Sequence, residues 1–361
     1  MDAQKTVYLN TAGVGLVSPE SIQAAQKFQE GTLTNPMKTF QHWMQHDLPN
    51  LRKKTAQLIG TSPENVAFVP NFTYGLAAVL DSLRPQIKRV LMFEEDYPSL
   101  TMPMEMGDFE TYYVKSIDHF SINLNRIIDM AEKHKVEAIV ISNVQFLNGF
   151  TLDIATLGNF CKVHDIILIV DATQSLGAID MNFDELNVDV MISSSYKWLN
   201  GGPGSAVLAF KTSFFQRFIP RFAGFGSIDK TSKTWSYTPS FASYEGGHLN
   251  PLGLLQLEKA IEQRLEMGVK KVEAHNKALI KRLREGLRNT SFKVRGGNDM
   301  QHLSTILTFE ADEYIHGYLQ EHGFAVTWRK GLIRVSPHFY NTTTDIDEFV
   351  QALIDWEKGD F

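Results

Sequence analysis

Two short segments carry the residue types best suited to chemistry. In IILIVDATQSLG, residues 166 to 177, Asp171 and Gln174 directly follow an apolar, β-branched run. In VDVMISSSYKWLNGGPGSAVLAF, residues 188 to 210, a similar run passes into serines, then Tyr196, Lys197 and Trp198, then a glycine-rich turn. Ligands of open α/β sheets sit beyond the C-terminal ends of strands, which is where both segments lead. An acid at that place can hold positive charge on a heteroaromatic nitrogen. A lysine flanked by aromatic side chains is partly desolvated, which lowers its pKa and favours imine chemistry. Taken singly, each residue has a plainer reading: Asp171 as a turn or helix cap, Lys197 as a solvated lysine beside a hairpin.

Read together, they specify more. Pyridoxal 5'-phosphate (PLP) needs a lysine to bind its aldehyde as a Schiff base and an acid to keep its pyridine nitrogen protonated, so that the ring can act as an electron sink. A third segment, FVPNFTYGLAAVL, residues 68 to 80, ends a strand and opens a helix at Thr73. Helix-start amides and a threonine hydroxyl suit a phosphate, and they equally suit a simple threonine cap. The run Gly201-Gly202-Pro203-Gly204 is a tight turn. Neither GxGxxG nor GxxxxGK[ST] occurs, which argues against a nucleotide-binding enzyme.

The elements that must position these residues follow from periodicity. Strands are predicted at 65–69, 89–93, 110–114, 138–142, 166–170, 188–193 and 205–209. Helices are predicted at 19–32, 48–59, 73–82, 123–134 and 154–163. Near-continuously apolar strands separated by helices indicate an α/β class with a mostly parallel sheet buried on both faces. One long helix is predicted over 251–287, followed by short strands at 292–294, 304–309, 325–328 and 332–335 and helices at 312–322 and 344–357. The expected organisation is a large domain over 17–250 and a smaller C-terminal α/β domain over 251–361, joined by the N-terminal segment 1–16.

Composition excludes several classes. A net charge of −6 gives no reason to bind nucleic acid or an anionic membrane. The only cysteine, Cys161, allows no intramolecular disulfide and no cysteine metal cluster. The N-terminus does not read as a signal peptide and the apolar runs are too short to span a membrane, so a cytoplasmic protein is expected. His42 and His46 stand at helical i, i+4 spacing with no third ligand evident, and no metal is expected. Lys270, Lys271, Lys281 and Arg282 read as a solvated helix face.

From YLNTAG near Asn10 to RVSPHFYNT near Arg334, the chain resembles fold-type I PLP-dependent transferases of the class V aminotransferase family. That group includes cysteine desulfurases, kynureninases and isopenicillin-N epimerase-like proteins. The most specific stretches are D-x-x-Q-x-x-G at Asp171 to Gly177 and S-Y-K at Ser195 to Lys197, and YKWLNGGPGS is similar to kynureninase-like members. The resemblance implies that Lys197 forms the aldimine with PLP, Asp171 pairs with the pyridinium and Gln174 reaches the 3-hydroxyl region. It further implies that Thr73, Ser194 and Tyr196 hold the phosphate, Tyr97 covers the ring, and Asn143 contacts cofactor or substrate. Arg334 would grip the substrate α-carboxylate.

The resemblance also implies a homodimer. The segment Tyr244-Glu245-Gly246-Gly247-His248 would reach the partner's phosphate, with His248 where many members have threonine or serine. Tyr196 replaces the histidine common in desulfurases, and 323–332 lacks the desulfurase cysteine. The expected activity is PLP-dependent, on an amino acid, of the class V aminotransferase type. A carbon–sulfur β-lyase, a kynureninase-like hydrolase and an epimerase are the alternatives, ahead of a non-catalytic cofactor-binding protein.

Overall fold

Short runs of aliphatic residues become strands buried along most of their length, and their alternation decides which face of the sheet each side chain meets. The computed structural model describes residues 6–359 apart from 117, 221–222, 230, 239 and 297–299. Its strands are β1 (Val7–Tyr8), β2 (Val66–Val69), β3 (Arg89–Phe93), β4 (Glu110–Val114), β5 (Ala138–Ser142), β6 (Ile167–Asp171), β7 (Val190–Ser194), β8 (Ala206–Phe210), β9 (Leu307–Glu310), β10 (Phe324–Ala325), β11 (Thr327–Arg329) and β12 (Leu332–Val335). The main sheet has seven strands in the order β2-β8-β7-β6-β5-β3-β4. Its central neighbours run parallel, and only β8 runs against the rest.

Successive residues of the central strands enter alternate cores, as the two-residue period of a pleated strand requires. Ile139, Ile141, Leu168, Val170 and Met191 pack on one face, while Ala138, Val140, Ile167, Ile169, Val190 and Ile192 pack on the other. The second face is covered by the helix Phe72–Leu83, whose buried side chains include Leu76, Val79 and Leu80. The C-terminal ends of β2, β5, β6 and β7 gather along one edge, because Val69 pairs with Ala206, Ser194 with Ala206, and Ser142 with Asp171.

The C-terminal part departs from the sequence expectation in its helix. Instead of one helix over 251–287, Pro251–Met267 and Val269–Leu287 are separated by Gly268, whose φ of 79° ends the first helix. The first of the pair packs on helices Pro19–Thr34 and Leu48–Ile59, with Leu254, Leu257 and Ile261 in the core of the large sheet. Leu279, Ile280, Leu283 and Leu287 join a separate core with β9, β12 and the helix Thr343–Lys358. The change of core therefore falls beyond the Gly268 break rather than at residue 251. Val7 and Leu9 lie in this second core, with β1 parallel to β10.

The strand expected at 292–294 reduces to one bridge between Val294 and Phe309. The helices Pro36–His42 and Pro98–Glu105 and the π-helical turn Trp43–Asp47 had no sequence expectation. No helix among the described residues is long and apolar enough to cross a membrane.

Candidate active site

Asp171 ends β6 and Lys197 opens the turn after β7, so neighbouring parallel strands deliver both to one cleft of about 540 Å³. Asp171 is buried, and its Oδ1 accepts a 2.8 Å hydrogen bond from the Thr173 amide. Burial pushes its carboxyl up to about 6, against the hydrogen bonds from Thr173 and the charge of Lys197. Lys197 is only 7% exposed. Burial, and then the charge of Arg334, bring its amine down to about 8, while Asp171 pulls it upward. No ion pair joins the two side chains among the described residues, although each feels the other's charge across the cleft.

The turn that carries the lysine is held from several sides. Ser195 donates to the carbonyls of Ser205 (2.7 Å) and Gly202 (2.9 Å), closing it as a compact loop. Trp198 Nε1 donates to Gln174 Oε1 at 2.8 Å, and Gln174 Nε2 donates to the carbonyl of Ala12. The amide of Gly15 donates to the carbonyl of Tyr196 at 2.8 Å. Behind the loop, buried Arg264 donates to Asn200 Oδ1 and to the Trp198 carbonyl. The Lys197 Nζ stands 5.6 Å from the Tyr97 ring centroid and 5.8 Å from that of Tyr196. Tyr97 is fixed by edge contact with Phe146 and by Asp96, which accepts from the Tyr97 amide and from both the amide and the hydroxyl of Ser142.

At the other end of the cleft, Asn71 caps the helix Phe72–Leu83, its side chain accepting from the Tyr74 amide at 3.0 Å. Thr73 therefore does not open the helix as the sequence suggested; it sits one position inside, and its hydroxyl is left to line the cleft with Ser194 and Tyr196. The amides of Phe72 and Thr73, at the helix start, have no intrahelical acceptor and suit an anion. Arg334, on β12, is buried with Nη1 donating to the Phe146 carbonyl at 2.7 Å and with Nε unpartnered. Burial brings its guanidinium down to about 10. A buried, half-satisfied guanidinium beside Phe146, which lines the cleft, is a ready partner for a carboxylate.

Two expected residues stand elsewhere. Asn143, one residue beyond β5, borders a neighbouring cavity with Val170, Ala172 and Met191, and its buried Oδ1 has no hydrogen-bond partner. Ser142 occupies the cleft in its place. His248 does not line the cleft either; it borders a larger groove of about 1420 Å³ together with Tyr74, Gly246 and Leu254. Its ring packs edge-on against Phe40 at 5.2 Å. Sequence reasoning also missed Thr173, Phe146 and Asp96. Thr173 lies inside the D-A-T-Q segment and Asp96 directly before Tyr97, so a strand-end acid at 96 was the available signal.

The Aminotransferase class-V family model matches residues 7–349. This chain belongs to the class V aminotransferase family. A probable cysteine desulfurase of Pyrococcus abyssi is 23% identical over 334 residues, covering 85% of this chain and 82% of that protein. A kynureninase of Christiangramia forsetii is 25% identical over 350 residues, covering 86% and 80%. Among solved structures, a cysteine desulfurase from Thermococcus onnurineus NA1 superposes with a TM-score of 0.88 at 21% identity, covering 98% of this chain and 95% of its own. A cystine C–S lyase, C-DES, superposes with a TM-score of 0.86 at 17% identity, covering 97% of each chain.

The protein is thus a PLP-dependent enzyme with the fold-type I architecture. The cleft fits that cofactor on its own terms. It offers a buried amine held near neutrality, a buried carboxylate with no cation bonded to it, aromatic rings beside the amine and helix-start amides at the far end.

Proposed function

We propose that this class V enzyme acts on an amino acid, with Lys197 as the Schiff-base lysine and Asp171 as the partner of the pyridine nitrogen. The observation that carries the reading is geometric: adjacent parallel strands bring a buried carboxyl, Asp171, and a buried amine, Lys197, to one cleft with no ion pair between them, and burial raises the acid and lowers the amine. PLP, when bound, supplies the electron sink for a carbanion at the substrate α-carbon. Lys197 then acts as the base and acid that moves the α-proton, since an amine poised near 8 can both take and return it. Asp171 keeps the pyridine nitrogen charged. Tyr97 would cover the cofactor ring, Gln174 would border it, and Thr73, Ser194 and Tyr196 would receive the phosphate. Arg334 orients the α-carboxylate by a bidentate contact.

Transamination is the reaction we favour, and direct carbon–sulfur β-elimination is the second reading, because cysteine desulfurases and a C–S lyase are among the relatives. A persulfide relay is disfavoured by Cys161. The sulfur is fully buried, and burial pushes its thiol up to about 12. It also lies at the wrong end: the Cys161 carbonyl accepts from Ile166, just before β6, while Asp171 ends that strand, about 13 Å away by strand rise.

We further propose a homodimer in which the Glu245–His248 segment of one protomer completes the other's phosphate site. His248 and its groove lie apart from the chain's own cleft, while Thr73 is exposed at the cleft mouth. The deciding experiment is the visible spectrum of the purified protein with PLP, before and after a panel of amino acids, with keto acid, ammonia and sulfide measured. A visible band that shifts with an amino acid and yields a keto acid is expected. A protein that takes up PLP without any lysine-linked band would overturn the assignment.

A further inference from the structure

The hairpin β11–β12 carries a second arginine toward the same cleft. Lys330 and Gly331 form its two-residue turn, both with positive φ (52° and 75°), and this tight turn fixes the register. Thr327 pairs with Arg334 and Arg329 pairs with Leu332. Cross-strand partners share a face, and so do residues two apart, so Arg329 and Arg334 project from one face as diagonal neighbours. Phe146 is the common contact: its carbonyl accepts from Arg334 Nη1 at 2.7 Å, and its ring lies 5.2 Å beneath the Arg329 guanidinium. Phe146 itself lines the cleft that holds Lys197.

Among the described residues, Arg329 has no acidic partner and no hydrogen bond; the ring of Phe146 is its contact. An arginine left free on the face that also presents a carboxylate-binding arginine lacks a structural role that a neutral residue would not serve. Its charge reaches the site, acting with that of Arg334 to lower the Lys197 amine. The plainer alternative is a solvated hairpin arginine resting on an aromatic ring.

We infer that Arg329 is a specificity residue that binds a second anionic group on the substrate side chain, selecting a dicarboxylic amino acid or one bearing an equivalent sulfur oxyanion. The inference rests on the reading of Lys197 and Arg334 given above. With the α-carboxylate on Arg334, the distal oxyanion meets the guanidinium of Arg329 over Phe146, while a neutral side chain leaves that cation in water.

The test uses the PLP-loaded enzyme and unreactive acids, so that binding is read apart from turnover. Calorimetric titration with glutarate, succinate and butyrate should show a dicarboxylate bound about fivefold more tightly than butyrate, the upper range for one solvent-exposed ion pair. The preference should shrink at high salt. Arg329→Gln should abolish it without changing the butyrate affinity, and Arg329→Lys should restore part of it. In a parallel arm, aspartate, glutamate, cysteine sulfinate and alanine are compared by their effect on the visible band; the sulfinate distinguishes a sulfur oxyanion from a carboxylate. Equal binding of mono- and dicarboxylates, or equal loss of both in Arg329→Gln, overturns this inference alone. A protein with no lysine-linked PLP band overturns it together with the reading on which it rests.

Discussion

At the scale of single residues, the charges of Lys197 and Asp171 are both costly to the empty fold. Burial lowers the lysine from 10.5 to about 8, so between those values the unfolded chain holds a proton that the folded one has released. Stability of the cofactor-free protein should therefore rise with pH across that window. Asp171 acts in the opposite sense: raised from 3.8 to about 6, it costs stability as pH climbs through that range. Chemical modification of the Lys197 amine, followed by peptide mass spectrometry, should show a midpoint near 8 rather than 10.5. Arg334→Gln should move it upward by removing a cation, and Asp171→Asn should move it downward by removing the anion. Midpoints that stay fixed in both variants would contradict this coupling.

Two substitutions test the roles directly. Lys197→Ala should abolish the visible band and the borohydride-reducible adduct; a reducible adduct at another lysine would remove the central assignment. Asp171→Ala should retain PLP through the phosphate contacts yet lose roughly 10²–10³-fold in turnover, as when one electrostatic stabiliser is removed from a site. Near-normal turnover there would show that Asp171 is not the pyridinium partner. These two residues were legible because each ends a strongly apolar strand. Ser142 and Asn143 border different cavities, since one residue of the pleat is enough to send a side chain to the other face. Phe146 escaped notice because its role depends on contacts with Tyr97 and Arg334 that no local pattern records, whereas Asp96, beside Tyr97, left a signal that went unused.

At the scale of elements, the segment bearing His248 is fastened by a buried ion pair. Arg52, on the helix Leu48–Ile59, donates from Nη1 and Nη2 to the two oxygens of Glu245, both at 2.9 Å, and stacks over Phe241 at 4.0 Å. Glu245 also accepts from the Phe68 amide of β2 at 2.7 Å. Both side chains are about nine-tenths buried, so Glu245→Gln leaves a desolvated guanidinium and should cost about 3–5 kcal/mol in denaturant unfolding. A loss below 1 kcal/mol would show that the pair is solvated in solution.

The main strands were readable from β-branched runs to within a residue or two. The single helix expected over 251–287 was not, because the charged, helix-favouring residues around Gly268 gave no sign that its backbone turns left-handed there. The helices Pro36–His42 and Pro98–Glu105 were not foreseen; each carries its proline in the first turn, where a missing amide proton costs nothing.

At the scale of the whole molecule, the α/β class and the family were legible across nearly the full chain, whereas the assembly is not written into one chain's contacts. The groove beside His248 is bordered by Val69, Pro70, Tyr74 and Ala78, an apolar surface adjoining the helix that opens the cleft. Light scattering at micromolar concentration should report a dimer. Mixing Lys197→Ala protomers with protomers altered in the Glu245–His248 segment should regain part of the activity, since one of the two sites in each mixed dimer is then intact. A monomer with full activity would refute the shared site.

The strap of residues from Val7 to Gly15 joins segments that lie far apart in the chain. Its first residues pair with β10, Thr11 meets the hydroxyl of Tyr340, Ala12 binds Ser336 and Gln174, and Gly15 holds the carbonyl beside Lys197. Residues 7–12 must therefore wait for partners that lie more than three hundred positions later in the chain. At about 5–20 residues per second, translation of the intervening stretch takes tens of seconds. Over that time the strands of the main sheet can assemble while the wall behind the lysine loop is still missing. A chain interrupted before β10 to β12 lacks the partners that hold this strap behind the lysine loop.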